Sequence, residues 1–424
     1  MIGNVFAHRS IHRETCVAQV SLLAALGVCS LVRIEVAAQD SDGDTLSLYT
    51  IEQFTYDDNL YRLPRQFADL ESIIGPGTAR EDYINRASLG IAGRWAFARQ
   101  AIALDLQVDD NRFRNNEVLD HTGGNGAFRW DWRAGGNLTG QVGADYKRAL
   151  AGFANSRFLA KDLLDTQGYF GNVAYLVGTR WTVRAGVRDA ETSHSAASRD
   201  LDNVHAQSGN VALEYETAVR DVVGWEYRYT EARYPRNATA LLRLVDRDYR
   251  ENSWAVRVKY APSAKTLLEA RGGYIERIYP AASTSDVGDG FSGETWRASV
   301  QWLASAKTQL KIQGWRELRA YVDAESEYFV SEGGSVTPLW QPTDKWHVSL
   351  ECSLENQDYL GSGLAVNAGA GRRDTVSAGE LVLSYQPRDW IHLHLSYRAE
   401  QRGSNRLFLE YEDRVTSVDL QLTL

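Results

Sequence analysis

The chain has 424 residues, a formal net charge of −9 at pH 7 and a mean hydropathy of −0.38. This acidic balance argues against general nucleic-acid binding, so no nucleic acid is expected among its partners. One Met, 35 Gly, 21 Tyr and 12 Trp are not the composition of a chain with a helical core. After residue 40, no apolar run approaches the roughly 18 residues that a membrane-spanning helix needs.

Residues 1–38 are predicted to form an export signal. Basic residues up to Arg13 precede an apolar core, Val17–Val32, and the small residue Ala38 ends a cleavage site. A shorter signal that begins at a later start codon is the alternative. Removal of the signal leaves Cys352 as the only cysteine, which excludes an intramolecular disulfide in the mature chain.

Residues 39–45 are predicted to form a short, flexible leader. Its acidic run, Asp40–Asp44, has some of the spacing of a calcium-binding loop but lacks the glycine and the distal glutamate of that pattern. We therefore expect neither a metal ion nor a cofactor.

From residue 46 onward, apolar and polar residues alternate in one segment after another. This pattern predicts β-strands with one apolar and one polar face. The first extended segment is Leu46–Tyr56. The apolar members of later segments are, in chain order, Ile102, Leu104, Leu106, Val108; Phe128, Trp130, Trp132; Trp181, Val183, Val187; Val223, Trp225, Tyr227, Tyr229; Trp254, Val256, Val258, Tyr260; Trp296, Val300 and Trp302.

The same pattern is clearest near the C-terminus. In Tyr385–Arg398, a turn with a proline and a tryptophan precedes strict alternation, and the segment 341–354 repeats this arrangement. A last alternating segment ends at Leu424. These strands are longer than the five or six residues or so that are usual in soluble sandwiches.

Short and long connections alternate between the segments. Long ones, such as Glu191–Asp202 and Ser283–Gly293, are rich in Gly, Ser, Asn and Asp. We expect all eight prolines in turns or loops, because proline cannot donate to a strand ladder. The short connections recur roughly every 37 to 45 residues, near Arg94, Asn137, Gly178, Ala218, Pro262, Ala304, Pro342 and Pro387.

This period also fits a propeller blade, but a blade needs a turn about every ten residues and shorter strands. Two long strands per period favour an all-β fold: a transmembrane, antiparallel, up-and-down β-barrel over residues 46–424. Eight short turns with both termini at one end predict about 18 strands, and 16 is the alternative. The expected location is the outer membrane of a Gram-negative bacterium, with its lipid and the barrel assembly machinery as partners.

A barrel of this size leaves a water-filled lumen. Charged residues on the polar faces of the strands would cost about 2 to 4 kcal/mol each if they faced lipid, so they are predicted to face the lumen. Merely solvating the lumen is as good an interpretation as a selective role. The predicted lumen-lining residues are Arg129, Asp131, Arg133, Arg184, Arg188, Glu226, Arg228, Arg257, Lys259, Glu269, Arg271, Arg297, Glu351 and Arg398.

A polar cluster follows the first strand, next to Pro64. Asp57, Asp58, Asn59 and Arg62 are predicted to fold toward the lumen, pair with basic residues of the wall and narrow the pore. The alternative is a capped turn that only fixes the chain.

An enzymatic function is not expected. A hydrolase would need a nucleophile and a base at matched depth. The histidines after the signal are scattered, and no serine or aspartate partner stands out for any of them. These histidines are His121, His194, His205, His347, His392 and His394.

Several short stretches resemble the EpsL-type outer-membrane proteins of exopolysaccharide biosynthesis loci associated with exosortase systems. The matching stretches are Tyr56–Leu63 (YDDNLYRL), Leu150–Phe153 (LAGF), Tyr234–Arg236 (YPR), Gly290–Gly293 (GFSG), Trp315–Glu317 (WRE) and Trp340–Trp346 (WQPTDKW). The chain departs from the family at Ala304–Ala306, where the family turn usually reads Pro-Thr-Gly, and it ends in Leu424 where such barrels commonly end in an aromatic residue.

This resemblance implies a role in exporting or assembling an exopolysaccharide, together with periplasmic export components. A polysaccharide-conducting channel is the function it favours. A structural or adhesive barrel without transport remains the alternative, and conductance separates the two.

Overall fold

The structure is a computed structural model. It describes residues 45–67, 74–75, 77–154, 159–235, 248–280, 290–320, 328–360 and 371–424. The predicted signal and nearly all of the predicted leader lie outside the described residues, and Thr45 already begins the first strand.

The described residues form eighteen strands and two short 3₁₀ helices, Glu117–Leu119 and Ala197–Asp202. Among them, no helix is long and apolar enough to cross a bilayer. The strands are β1 Thr45–Asp57, β2 Asp82–Phe97, β3 Gln100–Phe113, β4 His121–Ala134, β5 Leu138–Leu150, β6 Leu163–Val177, β7 Trp181–His194, β8 Val204–Glu216, β9 Val222–Arg233, β10 Tyr249–Ser263, β11 Thr266–Ile278, β12 Phe291–Ser305, β13 Thr308–Ala320, β14 Tyr328–Thr343, β15 Trp346–Leu360, β16 Arg373–Arg388, β17 Ile391–Ser404 and β18 Tyr411–Thr423.

The strands close into one antiparallel barrel. Each strand pairs with its neighbours in the chain, and β1 pairs with β18 from Tyr49 opposite Thr423 to Asp57 opposite Val415. Closure gives every described strand a neighbour on both sides, so none of them is an open edge. The prediction of an eighteen-stranded up-and-down barrel is confirmed, and the sixteen-stranded alternative is wrong.

The eight predicted short turns are present within a few residues of their expected places. They connect β2–β3, β4–β5, β6–β7, β8–β9, β10–β11, β12–β13, β14–β15 and β16–β17. The start of β1 and the end of β18 lie at this same end of the barrel, as the Leu48 and Leu424 backbone hydrogen bonds show. We call this the short-turn end and the opposite one the long-loop end.

The expectation that all prolines lie in turns or loops was wrong. Four of them are inside strands: Pro262, Pro338, Pro342 and Pro387. Each interrupts the ladder on at least one side. The register shifts between Tyr260 and Ser263, between Trp340 and Thr343, and between Tyr385 and Arg388, and the β14–β15 pairing skips Pro338. Such irregularities accommodate a residue that has no N–H to donate.

Burial separates the two faces of each strand. On β10, Trp254 and Val256 are exposed, whereas Ser253, Ala255 and Glu251 are buried. In a closed barrel, side chains on the concave face converge and cover one another, while those on the convex face diverge. The buried polar face is therefore the lumen, and the exposed apolar face is the outer wall.

Candidate channel lumen

All of the predicted lumen-lining residues lie on the concave strand faces. The strand register fixes this placement: Arg257 on β10 lies directly opposite Arg271 on β11, and Arg271 lies opposite Arg297 on β12. Lys259 and Glu269 face each other in the same ladder. The lumen wall is therefore strongly charged along these strands.

One group of these residues shares the carboxylate of Glu214 on β8. Arg184 Nε lies 2.7 Å from one oxygen of Glu214, and Arg257 Nη1 lies 3.5 Å from the other. Glu214 was not predicted, because the sequence reading assigned no strand between Asp202 and Ala218. The alternation of Val211, Leu213 and Tyr215 is the signal that marks β8.

A second carboxylate, that of Glu226 on β9, is shared in the same way. It lies 2.9 Å from Arg228 Nη2 and 3.6 Å from Arg271 Nη2, and its side chain is almost fully buried. Burial of a carboxylate is tolerable when cations compensate its charge. Here two guanidinium groups do so.

The remaining predicted residues form separate contacts. Arg188 binds Asp145 at 2.9 Å, and Arg129 binds its neighbour Asp131 at 2.9 Å. Arg297 binds Glu317 at 2.7 Å. Arg133, at the short-turn end of β4, is exposed.

Glu351 and Arg398 belong to another part of the wall. Glu351 on β15 lies opposite Glu380 on β16, so two carboxylates face each other across one ladder. Arg398 on β17 contacts both Glu380, at 4.0 Å, and Glu400. This region has more carboxylates than cations near it.

The cluster after the first strand forms a tight turn over residues 57–67. Asp57 accepts hydrogen bonds from the Asn59 N–H, at 2.9 Å, and from Arg62, at 3.0 Å. Asn59 donates to the carbonyls of Leu63 and Glu412. Arg62 has a left-handed backbone conformation, with φ of 56°, which the surrounding hydrogen bonds hold in place.

Arg62 also joins this turn to the barrel wall. Its Nη1 lies 3.0 Å from the Asp413 carboxylate on β18. Burial opposes the positive charge of Arg62, but the Asp57 and Asp413 carboxylates outweigh it and raise the pKa of the guanidinium above its ordinary value. Arg62 is therefore a permanent cation inside the turn.

The cationic partners of this turn differ from those expected. Asp57 pairs with Arg62, and Asp58 lies 3.7 Å from Arg65, so both carboxylates bind arginines of the same turn and not basic residues of the wall. The reason is proximity along the chain, since the turn brings Arg62 back onto Asp57, which is only five positions earlier. The predicted inward position holds for Asp57, which lies on the concave face of β1.

Three carboxylates of this region, Asp57, Asp58 and Asp413, have oxygens within 4.8 Å of one another. Such a group has the composition of a cation site. Arg62 contacts two of the three carboxylates at 3.0 Å, so the protein itself supplies the compensating charge.

The turn packs against two other loops of the long-loop end. Tyr61 is buried, and its ring lies 4.8 Å from that of Phe153, in the connection from β5 to β6. Leu60, Phe113 and Leu119 complete this apolar cluster. The turn is thereby fixed over the mouth of the barrel.

A second contact shows that the β5–β6 connection reaches into the lumen. Arg402, on the concave face of β17, donates a hydrogen bond to the carbonyl of Ala154. Strands β17 and β5 are six places apart in the ring. Residues 151–154 must therefore extend inward across this sector of the mouth to meet Arg402.

Two histidines have aspartate partners that sequence reasoning missed. His194 Nδ1 lies 2.6 Å from Asp162, with both side chains buried, and His205 Nε2 lies 2.9 Å from Asp189. Asp162 also accepts a hydrogen bond from the Ala196 N–H. The His194–Asp162 pair thus connects the end of β7 to the β5–β6 connection at the long-loop end, a structural role.

No family model matches the chain, and no curated protein matches it either. Solved structures of outer-membrane barrels do. The outer membrane protein OpdK of Pseudomonas aeruginosa has a TM-score of 0.50 and 9% identity, over 90% of this chain and 99% of that one. OccK2 (OpdF) of the same bacterium has a TM-score of 0.51 and 11% identity, over 90% and 98%. The similarity lies in the fold.

Proposed function

We propose that this protein is an outer-membrane channel through which an exopolysaccharide passes. The observation that carries the proposal is the distribution of side chains on a closed barrel. Apolar side chains such as Val256, Leu354 and Val418 are exposed on the convex face, while charged groups fill the concave face.

The convex face supports a location in lipid. Water would not favour so many exposed apolar side chains around one protein, whereas a bilayer requires them. Trp181, Tyr260, Trp346 and Trp390 are exposed close to the short turns, where aromatic residues flank the hydrocarbon layer in outer-membrane barrels. The similar fold of OpdK, named an outer membrane protein, supports the same location.

The concave face supports a polymer as the substrate. A sugar chain carries hydroxyl groups, which can donate to carboxylate oxygens and accept from arginine, and often carboxylates, which accept from arginine. Conduction requires many weak contacts and no tight one. The wall residues Arg184, Arg257 and Arg271, interspersed with carboxylates, meet this requirement.

Two of the stretches that resemble the EpsL-type proteins meet at the mouth, and a third lies on the lumen wall. Tyr61 and Phe153, from two of them, are in contact at the mouth. Trp315 and Glu317, from a third, lie on the concave face of β13 beside Arg297. A shared function of the mouth and the lumen explains why these stretches would resemble one family.

The test is genetic and biochemical. Deletion of the gene is expected to abolish or strongly reduce surface polysaccharide, and single Arg→Ala changes at Arg184, Arg257 or Arg297 are expected to reduce it only partly, because the contacts are many and weak. Reversal of several of these charges together is expected to block export. Surface polymer is measured in each strain beside the amount of folded protein in the outer membrane.

Normal polymer export in the deletion strain would contradict the transport proposal. The second candidate, a structural or adhesive barrel, is favoured by one observation: loops pack across the mouth through Tyr61, Phe153 and Arg402. Electrophysiology of the purified protein, with and without polysaccharide from its own locus, separates the two functions. A channel conducts and is blocked by the polymer, whereas a structural barrel gives no current.

A further inference from the structure

The ion pairs of one wall of the lumen contain more cations than anions. On strands β7 to β12, Glu214 is shared by Arg184 and Arg257, and Glu226 is shared by Arg228 and Arg271. Each of these two groups has one carboxylate and two guanidiniums. Each of these two groups therefore keeps a net positive charge, whereas the Arg277–Glu251 pair of the same wall is balanced.

The opposite stoichiometry occurs on strands β16 to β18 and β1 to β3. Arg398 contacts both Glu380 and Glu400, and the guanidinium of the adjoining turn, Arg62, contacts both Asp57 and Asp413. In these two groups carboxylates outnumber cations, whereas Asp374 of the same wall is shared by two cations, Arg372 and Arg402. The negative excess of this wall therefore depends on the first two groups and on carboxylates without a cationic partner.

Two further carboxylates of this second wall have neutral hydrogen-bond donors. Asp105 on β3 accepts from the Tyr49 hydroxyl at 3.0 Å, and Asp109 accepts from the Gln107 amide at 2.6 Å. In the part of the chain that the structure describes, neither has an ion-pair partner. They add to the negative charge of this wall.

These two sectors face each other across the lumen. In the closed order of eighteen strands, β7 and β16 are nine places apart, as are β12 and β3. Six strands with a positive excess are thus diametrically opposite six strands with a negative excess. Charges held on low-dielectric walls produce a strong field in the water between them.

On the basis of the proposed channel function, we propose that the lumen binds anionic and cationic groups on opposite walls. The β7–β12 wall, called here the basic wall, binds the carboxylates of an acidic sugar chain. The β16–β3 wall, called here the acidic wall, binds cationic groups and the counterions that accompany the polymer. The substrate class is therefore an anionic polysaccharide, which travels along one side of the pore.

Because Glu214 and Glu226 each contact two arginines, one arginine can be replaced at each carboxylate without leaving that carboxylate unpaired. Arg257→Gln with Arg271→Gln removes two cations from the basic wall, and the Glu214–Arg184 and Glu226–Arg228 pairs remain. The matched change on the acidic wall is Asp105→Asn with Glu380→Gln, which keeps the Arg398–Glu400 pair. The combined variant carries all four changes and has the net charge of the wild type.

The experiment measures equilibrium binding of oligogalacturonate and of spermine to the folded, detergent-solubilised protein by calorimetry. Low ionic strength is needed, because the screening length is only about 10 Å at 0.1 M salt. The basic-wall variant is expected to bind oligogalacturonate about tenfold more weakly, which corresponds to about 1.4 kcal/mol, and spermine almost unchanged, because only contacts with anions are lost. The acidic-wall variant is expected to show the reverse.

The combined variant decides between separated walls and overall charge. With separated walls it loses affinity for both probes, although its net charge is unchanged. Wild-type affinity for both probes in the combined variant, or equal weakening of both probes in either double variant, would overturn the proposal. Binding does not require conduction. A protein whose two walls bind the probes as expected but that carries no current would refute the channel function and not the charged walls.

Discussion

At the scale of single residues, the charge state of the buried Asp162 carboxylate affects a loop outside the barrel wall. It lies just before β6, where it accepts hydrogen bonds from His194 and from the Ala196 N–H. Burial opposes ionisation of Asp162, but these hydrogen bonds and the nearby Arg199 outweigh it and hold the pKa of the carboxyl below its usual range. The ionised form therefore stabilises the loop after β7.

We predict that Asp162→Asn loosens residues 195–203. A hydrogen bond to a charged group contributes about 1.5 to 3 kcal/mol, so amide hydrogen exchange in this loop should accelerate in the variant at pH 7. Because the pKa is lower in the folded protein than its value of about 3.9 in an unfolded chain, the wild type keeps this stabilisation above that pH and loses it as pH falls through the folded pKa.

The control for this prediction is Asp221→Asn, in a short turn at the other end of the barrel, where Asp221 accepts a hydrogen bond from the Ala261 N–H. It should leave exchange in residues 195–203 unchanged. Equal protection of that loop in wild type and Asp162→Asn at pH 7 would show that the carboxylate does not hold it.

At the scale of elements, the turn over residues 57–67 combines features of both sequence interpretations. Its hydrogen bonds from Asn59 and Arg62 to Asp57 are those of a capped turn. Its contacts with Asp413 and Phe153 also fix it over the mouth. A structural turn in this place restricts the passage as a consequence of its position.

Replacement of both Asp57 and Asp58 by Asn is predicted to raise conductance and antibiotic leakage. Arg62 then loses one of its two carboxylates, and the Arg414 N–H loses the charged acceptor of Asp58, so the turn moves away from the mouth more often. Asp110→Asn with Glu231→Gln is the matched control, because both residues are on convex faces and bind exposed arginines. Unchanged permeability in a well-folded double variant would count against a constriction.

Alternation made the barrel, its strand number and its short turns predictable, because the lumen and the outer wall impose opposite polarity on neighbouring residues. The strand Ile391–Ser404 is an example. The contacts across the mouth were not predictable: Arg402 and Ala154 are 248 residues apart, and no periodicity relates them. The need for glycine at position 90 was not predictable either. The Tyr49 ring passes over Gly90, 2.2 Å from where a Cβ would lie.

The ion-pair partners of the lumen were only partly predictable. The alternation assigns Arg257 and Arg271 to the concave face, but which carboxylate each one binds depends on the register between neighbouring strands. That register places Glu214 beside Gly224, which in turn lies opposite Arg257. A one-residue change of register would move these charges to the convex face.

At the scale of the whole molecule, stability depends on closure of the ring. The ladder between β1 and β18 joins the first and last strands, with Phe54 opposite Val418 near its centre. If it opened in the bilayer proposed for this barrel, two strand edges would have unpaired backbone groups, and each unsatisfied group there costs several kcal/mol. The barrel should therefore open as one cooperative unit and resist detergent without heating.

We predict that the protein fractionates with the outer membrane and migrates at different apparent masses when boiled and unboiled, because the closed barrel survives unheated detergent. Val418→Pro should abolish the fast-migrating unboiled form, since proline removes a donor from the closing ladder. Val418→Ala removes a similar apolar side chain from the convex face but keeps the N–H, and it should retain the shift. Identical mobility of boiled and unboiled wild-type protein, in a soluble periplasmic fraction, would exclude a membrane barrel.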